Sequence, residues 1–239
     1  MLLENITMVE FQQGLKKSQT VAIPFGSVEE HGPHLPLGTD TIHVYELLKY
    51  TSYDYHFFVA PPVWYGLCRS TKQHPGTVGI SSSTLKRLVK DICVSFYNQG
   101  LRNFLLISGH AGGTHMASIL DVADELVEKL NEGKFAVLSI IDLVKLLPNE
   151  LVETDGDSHA GEVETSLMQY LREDKVKGTA EREFPKFPKF IIAKNKKKFW
   201  PGGIWGDPSL ASRDKGKAIL EHEVQILKKI IFELEAFEE

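Results

Sequence analysis

The chain has 239 residues, 42% hydrophobic and 25% charged, with a formal net charge of -5 at pH 7, a balance that suits a globular α/β chain with a substantial core and argues against a dedicated nucleic-acid binder, which would carry a basic face. Cys68 and Cys93 are the only cysteines, too few for a disulfide framework or a cysteine zinc site, so a reducing, cytoplasmic setting is expected. No apolar run approaches the ~20 residues that span a bilayer, and the N-terminal "MLLENITMVEFQQGLKK" has no basic segment leading into a long apolar one, so neither a membrane span nor export is expected.

In chain order, the first expected strand is "TVAIPF" (20–25), apolar enough to be buried on both faces. It runs into "GSVEEHGPHLPLGTDT", a loop holding Glu29, Glu30, His31, His34 and Asp40, and then a helix over 41–50. A second strand is expected over 56–63 and a helix over 83–99. A third strand, "NFLLIS" (103–108), ends in "SGHAGGTH", which carries His110, and a helix follows over 114–130. A fourth strand (135–141) precedes "DSHAGEVETS", which supplies His159 and Glu164 and opens a helix over 162–171. Residues 172–203, rich in Lys, Pro and Phe, read as an irregular insertion or flap within a single domain spanning 1–239, and a last helix is expected over 214–237. Strands alternating with helices in this way indicate βαβ units and a mainly parallel sheet.

Open α/β sheets gather their binding residues beyond the C-terminal ends of the strands. If the first and third strands are neighbours, Glu29, His31, Asp40 and His110 converge there. Carboxylates and imidazoles together suit Zn²⁺, Mn²⁺ or Fe²⁺ in a catalytic site, whereas a structural zinc site favours cysteine. Plainer readings exist for each piece. The Gly, Pro and Asp of the first loop also make a surface turn; "SGHAGG" lacks the spacing and Lys of a phosphate loop; and Ser158 with Glu162 is plausible chemistry for capping a helix start. It is the joint occurrence of the pieces that favours a metal site. The run Lys194 to Lys198 reads as a solvated face, with recruitment of an anionic substrate group as the sharper alternative, and His43, His56, His115 and His222 belong to no motif.

The segments "GSVEEHGPHLPLGTDT", "SGHAGG" and "HAGEVETS", in this order, resemble the creatininase (creatinine amidohydrolase) family. "HPGTVGI" (74–80) and "GGIWGDPSLASRDKG" (202–216) add weaker matches. The resemblance implies a three-layer α/β/α sandwich around a mostly parallel sheet, two divalent metal ions per chain (Zn, Mn or Fe) and assembly as a homohexamer. It also implies the metal ligands: Glu29 and His31, with Asp40 bridging the ions, and His110. In creatininase a metal-binding Glu follows that His two places later; here the place is Gly112, so Glu164 is taken as the fifth ligand. The tryptophans that creatininase places just before the residue matching His159 have no counterpart in "TDGDS", which makes creatinine itself an unexpected substrate.

The expected activity is therefore metal-dependent hydrolysis of a non-peptide or small cyclic amide C–N bond. A bridging carboxylate holds such ions roughly 3.5 to 4 Å apart, and the hydroxide they share is the nucleophile. Catalytic roles fall to Glu164 and to His159, the candidate proton donor to the leaving nitrogen, with a hydrogen-bonding role as the alternative for His159. His34 and His74 are candidate substrate-pocket residues, and Glu30 reads as a carboxylate beside the ligands. Family alternatives are a formamide hydrolase of flavin or deazaflavin precursor synthesis and a peptidase of the mycofactocin type. A non-catalytic metal-binding regulatory protein is the alternative from another class.

Overall fold

The computed structural model describes residues 1–238. Its elements are α1 (Met8–Leu15), β1 (Thr20–Phe25), α2 (Thr39–Thr51), β2 (Phe58–Val59), α3 (Ser82–Asn98), β3 (Asn103–Ser108), α4 (Gly113–Lys129), β4 (Lys134–Ser139), α5 (Ile140–Val144), α6 (Glu162–Leu171) and α7 (Arg213–Ala236). The strands form one parallel sheet in the order β2-β1-β3-β4. Every residue of β1 is buried, as expected of a central parallel strand covered on both faces.

Successive side chains of a strand point to opposite faces, and the two faces of β1 feed two cores. Val21, Ile23 and Phe25 pack with Leu85, Val89 and Cys93 of α3 and with Ile119 and Leu126 of α4. Ala22, on the other face, joins Val44 and Leu47 of α2, Leu143 of α5, Val163 and Leu167 of α6, and Ile219 and Leu227 of α7. The result is helix, sheet and helix in three layers. Among the described residues no helix is long and apolar enough to cross a membrane.

Four local expectations are corrected. The second strand spans two residues, not eight: Pro61 and Pro62 lack the N–H that a ladder needs, although Ala60 N to Ala22 O and Val63 N to Pro24 O, both 2.9 Å, keep the chain alongside β1. The fourth strand ends at Ser139, because Asp142 Oδ2 accepts both Ser139 N (2.9 Å) and Ser139 Oγ (2.8 Å) and starts α5. Helix α1, not anticipated, begins with a reciprocal cap in which Thr7 N donates to Glu10 Oε2 and Glu10 N to Thr7 Oγ1. At α6 the N-cap position is Gly161, and the first N–H groups are satisfied by the side chain of Asp157 and not of Ser158: Glu162 N donates to its Oδ1 (2.8 Å) and Val163 N to its Oδ2 (3.0 Å). Residues 172–203 contain one 3-10 turn, Glu173–Lys175, and otherwise no helix or strand. The excursion returns beside α6 through isolated bridges pairing His159 with Trp205 and Glu183 with Gly206.

Candidate metal centre

Phe25 at the end of β1 pairs with Ser108 at the end of β3, so the loops leaving these strands emerge side by side. One delivers Glu29 and His31, the other His110, and the first turn of α2 brings Asp40 between them. His31 Nε2 lies 2.9 Å from Asp40 Oδ1, and His110 Nδ1 lies 3.3 Å from Asp40 Oδ2. The two oxygens of one carboxylate thus face two imidazoles. On the His110 side, Glu29 Oε2 is 2.7 Å from Nδ1; on the His31 side, Glu164 Oε2, from the first turn of α6, is 3.7 Å from Nε2. Ser27 Oγ donates to Asp40 Oδ2 (2.6 Å) and Thr71 Oγ1 donates to Glu29 Oε1, so the carboxylates are held in position.

These groups are buried: His31 is 0%, Glu29 2%, Asp40 3% and His110 7% exposed. Isolated buried charges are costly, so such groups must neutralise one another or bind cations. Burial pulls the pKa of His31 down, but Asp40 and Glu164 outweigh it and hold the imidazole well above its ordinary range. His110 is raised in the same way by Glu29 and Asp40 against burial. Burial likewise opposes ionisation of Glu29, yet His110 and His159 bring it down to about 2. Three carboxylates, each kept ionised by positive charge beside it, form a donor set with the chemistry of a divalent-cation site.

Donor atoms of Glu29, Cys68 and His110 lie within 4.8 Å of one another, as do those of His31, His159 and Glu164, with Asp40 between the groups. The residues therefore fit divalent cations. The cysteine count set Cys68 aside as a zinc ligand, and its place beside Glu29 and His110 comes from the fold. Burial first, then the charges of Glu29 and Asp40, push its thiol pKa up, which makes it a poorer donor than the carboxylates. At Gly112 an added Cβ would lie 2.6 Å from His110 Nε2, so a side chain at this place would require the His110 ring to shift.

His159 lies beside the cluster on the wall of a cavity of about 600 Å³. Its ring centroid is 4.2 Å from that of His31 and 5.1 Å from Trp200, and its Nε2 is 2.8 Å from Glu30 O. Glu164 accepts from Ala160 N (2.5 Å). His34 and His74, expected in the substrate pocket, are not among the residues that line this cavity. His34 Nε2 is 2.8 Å from Thr165 Oγ1, and burial with the nearby His31 takes its pKa down to about 4. His74 Nε2 donates to Trp200 O at 2.7 Å. What does line the cavity, and was not singled out in the sequence, includes Trp200, Trp205, Ile141 and Arg69; Lys196, from the run for which recruitment of an anionic group was the sharper alternative, lines it too. Of the first four, only Trp205 lies in a motif named there, "GGIWGDPSLASRDKG".

The family model described as creatinine amidohydrolase (creatininase) matches residues 4–231. The chain is 24% identical to the 3-dehydro-scyllo-inosose hydrolase of Thermotoga maritima over 95% of its own length and 81% of that protein's. It is 29% identical to the creatinine amidohydrolase of Pseudomonas putida over 85% of each chain. It is 32% identical to the mycofactocin precursor peptide peptidase of Mycolicibacterium smegmatis over 65% of this chain and 59% of that one. Among solved structures, a zinc–zinc form of a creatininase mutant superposes with a TM-score of 0.88 and a manganese creatininase with 0.87, each 25% identical and covering 97% of both chains. The sheet order, the cluster at its C-terminal edge and these matches agree: the chain belongs to the creatininase family.

Proposed function

We propose that the chain is a metal-dependent amidohydrolase that cleaves a non-peptide or small cyclic amide C–N bond at a centre of two divalent ions, zinc, manganese or iron. The observation that carries this reading is the placement of Asp40, whose two carboxylate oxygens face His31 and His110 separately. Glu29, His110 and Asp40 would hold one ion, and His31, Glu164 and Asp40 the other. Bound there, divalent ions supply Lewis acidity and bring the pKa of water toward neutrality.

The chain's own groups do the rest. Ser27 and Thr71 fix the bridging and terminal carboxylates through their hydroxyls. Trp200, Trp205 and the isoleucines of the wall exclude water from the substrate. His159 donates Nε2–H to Glu30 O, which leaves Nδ1 as its free nitrogen. Burial and His31 lower its pKa, but the Glu30 contact and Glu164 more than offset them, so the ring is disposed to carry the proton that the leaving nitrogen needs. On the same reading the protein assembles as a homohexamer and works in the cytoplasm.

The test is a screen of the metal-loaded protein against small cyclic amides, formamides and short peptides, before and after chelation. Hydrolysis of a cyclic or non-peptide amide that is lost with the metal and restored on its return supports the reading. Stoichiometric metal with no hydrolysis of any class would instead make the chain a metal-binding module, and turnover confined to peptides or formamides would move it to those branches of the family.

A further inference from the structure

The chain is acidic, yet its surface charge is unevenly placed. Residues 172–203 hold ten Lys and Arg against four Asp and Glu, and this excursion meets the loop that follows β2 at the mouth of the cavity. Two contacts fasten them: Lys196 N donates to Gln73 Oε1 at 2.8 Å, and His74 Nε2 donates to Trp200 O at 2.7 Å. The fastening sets Lys196 on the cavity wall along with Arg69 from the other loop; Lys194, Lys197 and Lys198 are not on that wall. Burial, together with the positive charges of Lys72 and Arg69, holds the pKa of Lys196 below the usual lysine range, and among the described residues no carboxylate counters them. Like charges brought together beside a cavity without an acidic partner are what an anion relieves. The rim is also close to the chemistry. Thr71, whose hydroxyl touches Glu29, is two residues from Arg69, so their Cα atoms are at most about 7 Å apart.

We propose that Arg69 and Lys196 form an anion subsite at the mouth of this cavity, so that the substrate is an amide carrying a carboxylate or phosphate group away from the bond to be cleaved. This rests on the functional reading above. The guanidinium fork takes such a group through two parallel hydrogen bonds and the ammonium adds a point charge from the opposite loop. The aromatic and isoleucine wall between rim and metal ligands accepts an apolar or planar body. The negative end of the molecule is held at the rim while its amide faces the carboxylate cluster.

The experiment measures binding and needs no knowledge of the substrate. Benzohydroxamate, a chelator of divalent metals, is titrated calorimetrically into the metal-loaded protein, followed by its 4-carboxy and 4-carboxymethyl forms, which extend a carboxylate toward the rim. The expected result is that a carboxylated form binds about tenfold or more tightly than the parent, a gain within that of a charge-assisted hydrogen bond. In Arg69→Gln/Lys196→Gln the advantage should fall to about twofold or less while the parent binds as before, and raising the salt should erode it in the wild type. A carboxylated form with no advantage in the metal-loaded protein, or an advantage that survives the double substitution, would overturn the subsite and leave the functional reading standing. A protein that takes up no metal would overturn the functional reading, and the subsite with it.

Discussion

Helix α2 carries two buried meetings of carboxylate and imidazole one turn apart, and they differ in kind. At its start Asp40 is shared by His31 and His110, with Glu29 and Glu164 beyond them, and the group opens onto the cavity. One turn later His43 Nε2 meets Glu223 Oε2 of α7 at 2.9 Å, with both residues buried and neither on the cavity wall. The second is a one-to-one tie between two helices. What separates it from the first is the number of carboxylates gathered and the opening to solvent, not the closeness of acid and base. A surplus of anionic donors on an open wall calls for cations; a closed pair of one acid and one base does not, even with Glu223 Oε1 left without a hydrogen-bond partner.

Substitutions can break this contrast, and the largest effect is expected at Asp40. Asp40→Ala should strip metal from both halves of the centre and abolish hydrolysis, whereas Glu29→Ala should mainly weaken one half; metal content by mass spectrometry on each variant decides it. Glu164→Gln should lower metal content and activity as well, since an amide is a poorer donor than a carboxylate, and unchanged metal would return the fifth ligand to another residue. At the tie the currency is stability. His43→Ala leaves Glu223 buried without its partner and should cost about 3–5 kcal/mol in denaturant unfolding, with metal stoichiometry intact in the folded protein.

His159→Asn probes the boundary between ligand and proton donor. Metal content near wild type with turnover down about 10²-fold, and less for substrates with better leaving groups, is the expected outcome; lost metal would make His159 a ligand. The smallest effect is a pH dependence at the tie. Burial lowers the pKa of His43, but Glu223 outweighs it and raises the value above 6.5. A raised imidazole stabilises fully below its unfolded pKa and loses that contribution as pH climbs through the folded value. The stability gap between wild type and His43→Ala should therefore be wider at pH 6 than at pH 9, and a gap that widens with pH would contradict the assignment.

How much of this was legible in the sequence depended on range. Glu29, His31 and Asp40 share one loop, and His110 ends a strand whose apolar run is unmistakable, so a single assumption, that β1 and β3 are neighbours, brought them together. The register confirms that neighbourhood. Asp157 was passed over for Ser158 because a cap is chosen by the path of the loop, which no spacing rule records. Trp200, Trp205 and Arg69 were out of reach for another reason, and the Lys194 to Lys198 run raised an anion-recruiting role without showing which lysine faces the cavity. They arrive on irregular segments whose meeting depends on side-chain to backbone contacts such as Gln73 to Lys196 N, and such contacts have no period in sequence. His43 and Glu223 belong to no motif because a tie between two helices needs only two facing positions.

The central claim is that one carboxylate joins two ions, and electron paramagnetic resonance of the Mn²⁺-loaded protein tests it most directly. The account predicts two Mn²⁺ per chain with a spectrum dominated by exchange coupling between them, and loss of that coupled signal in Asp40→Ala. A single Mn²⁺ per chain giving the spectrum of an isolated ion, or a coupled pair that persists in Asp40→Ala, would contradict it.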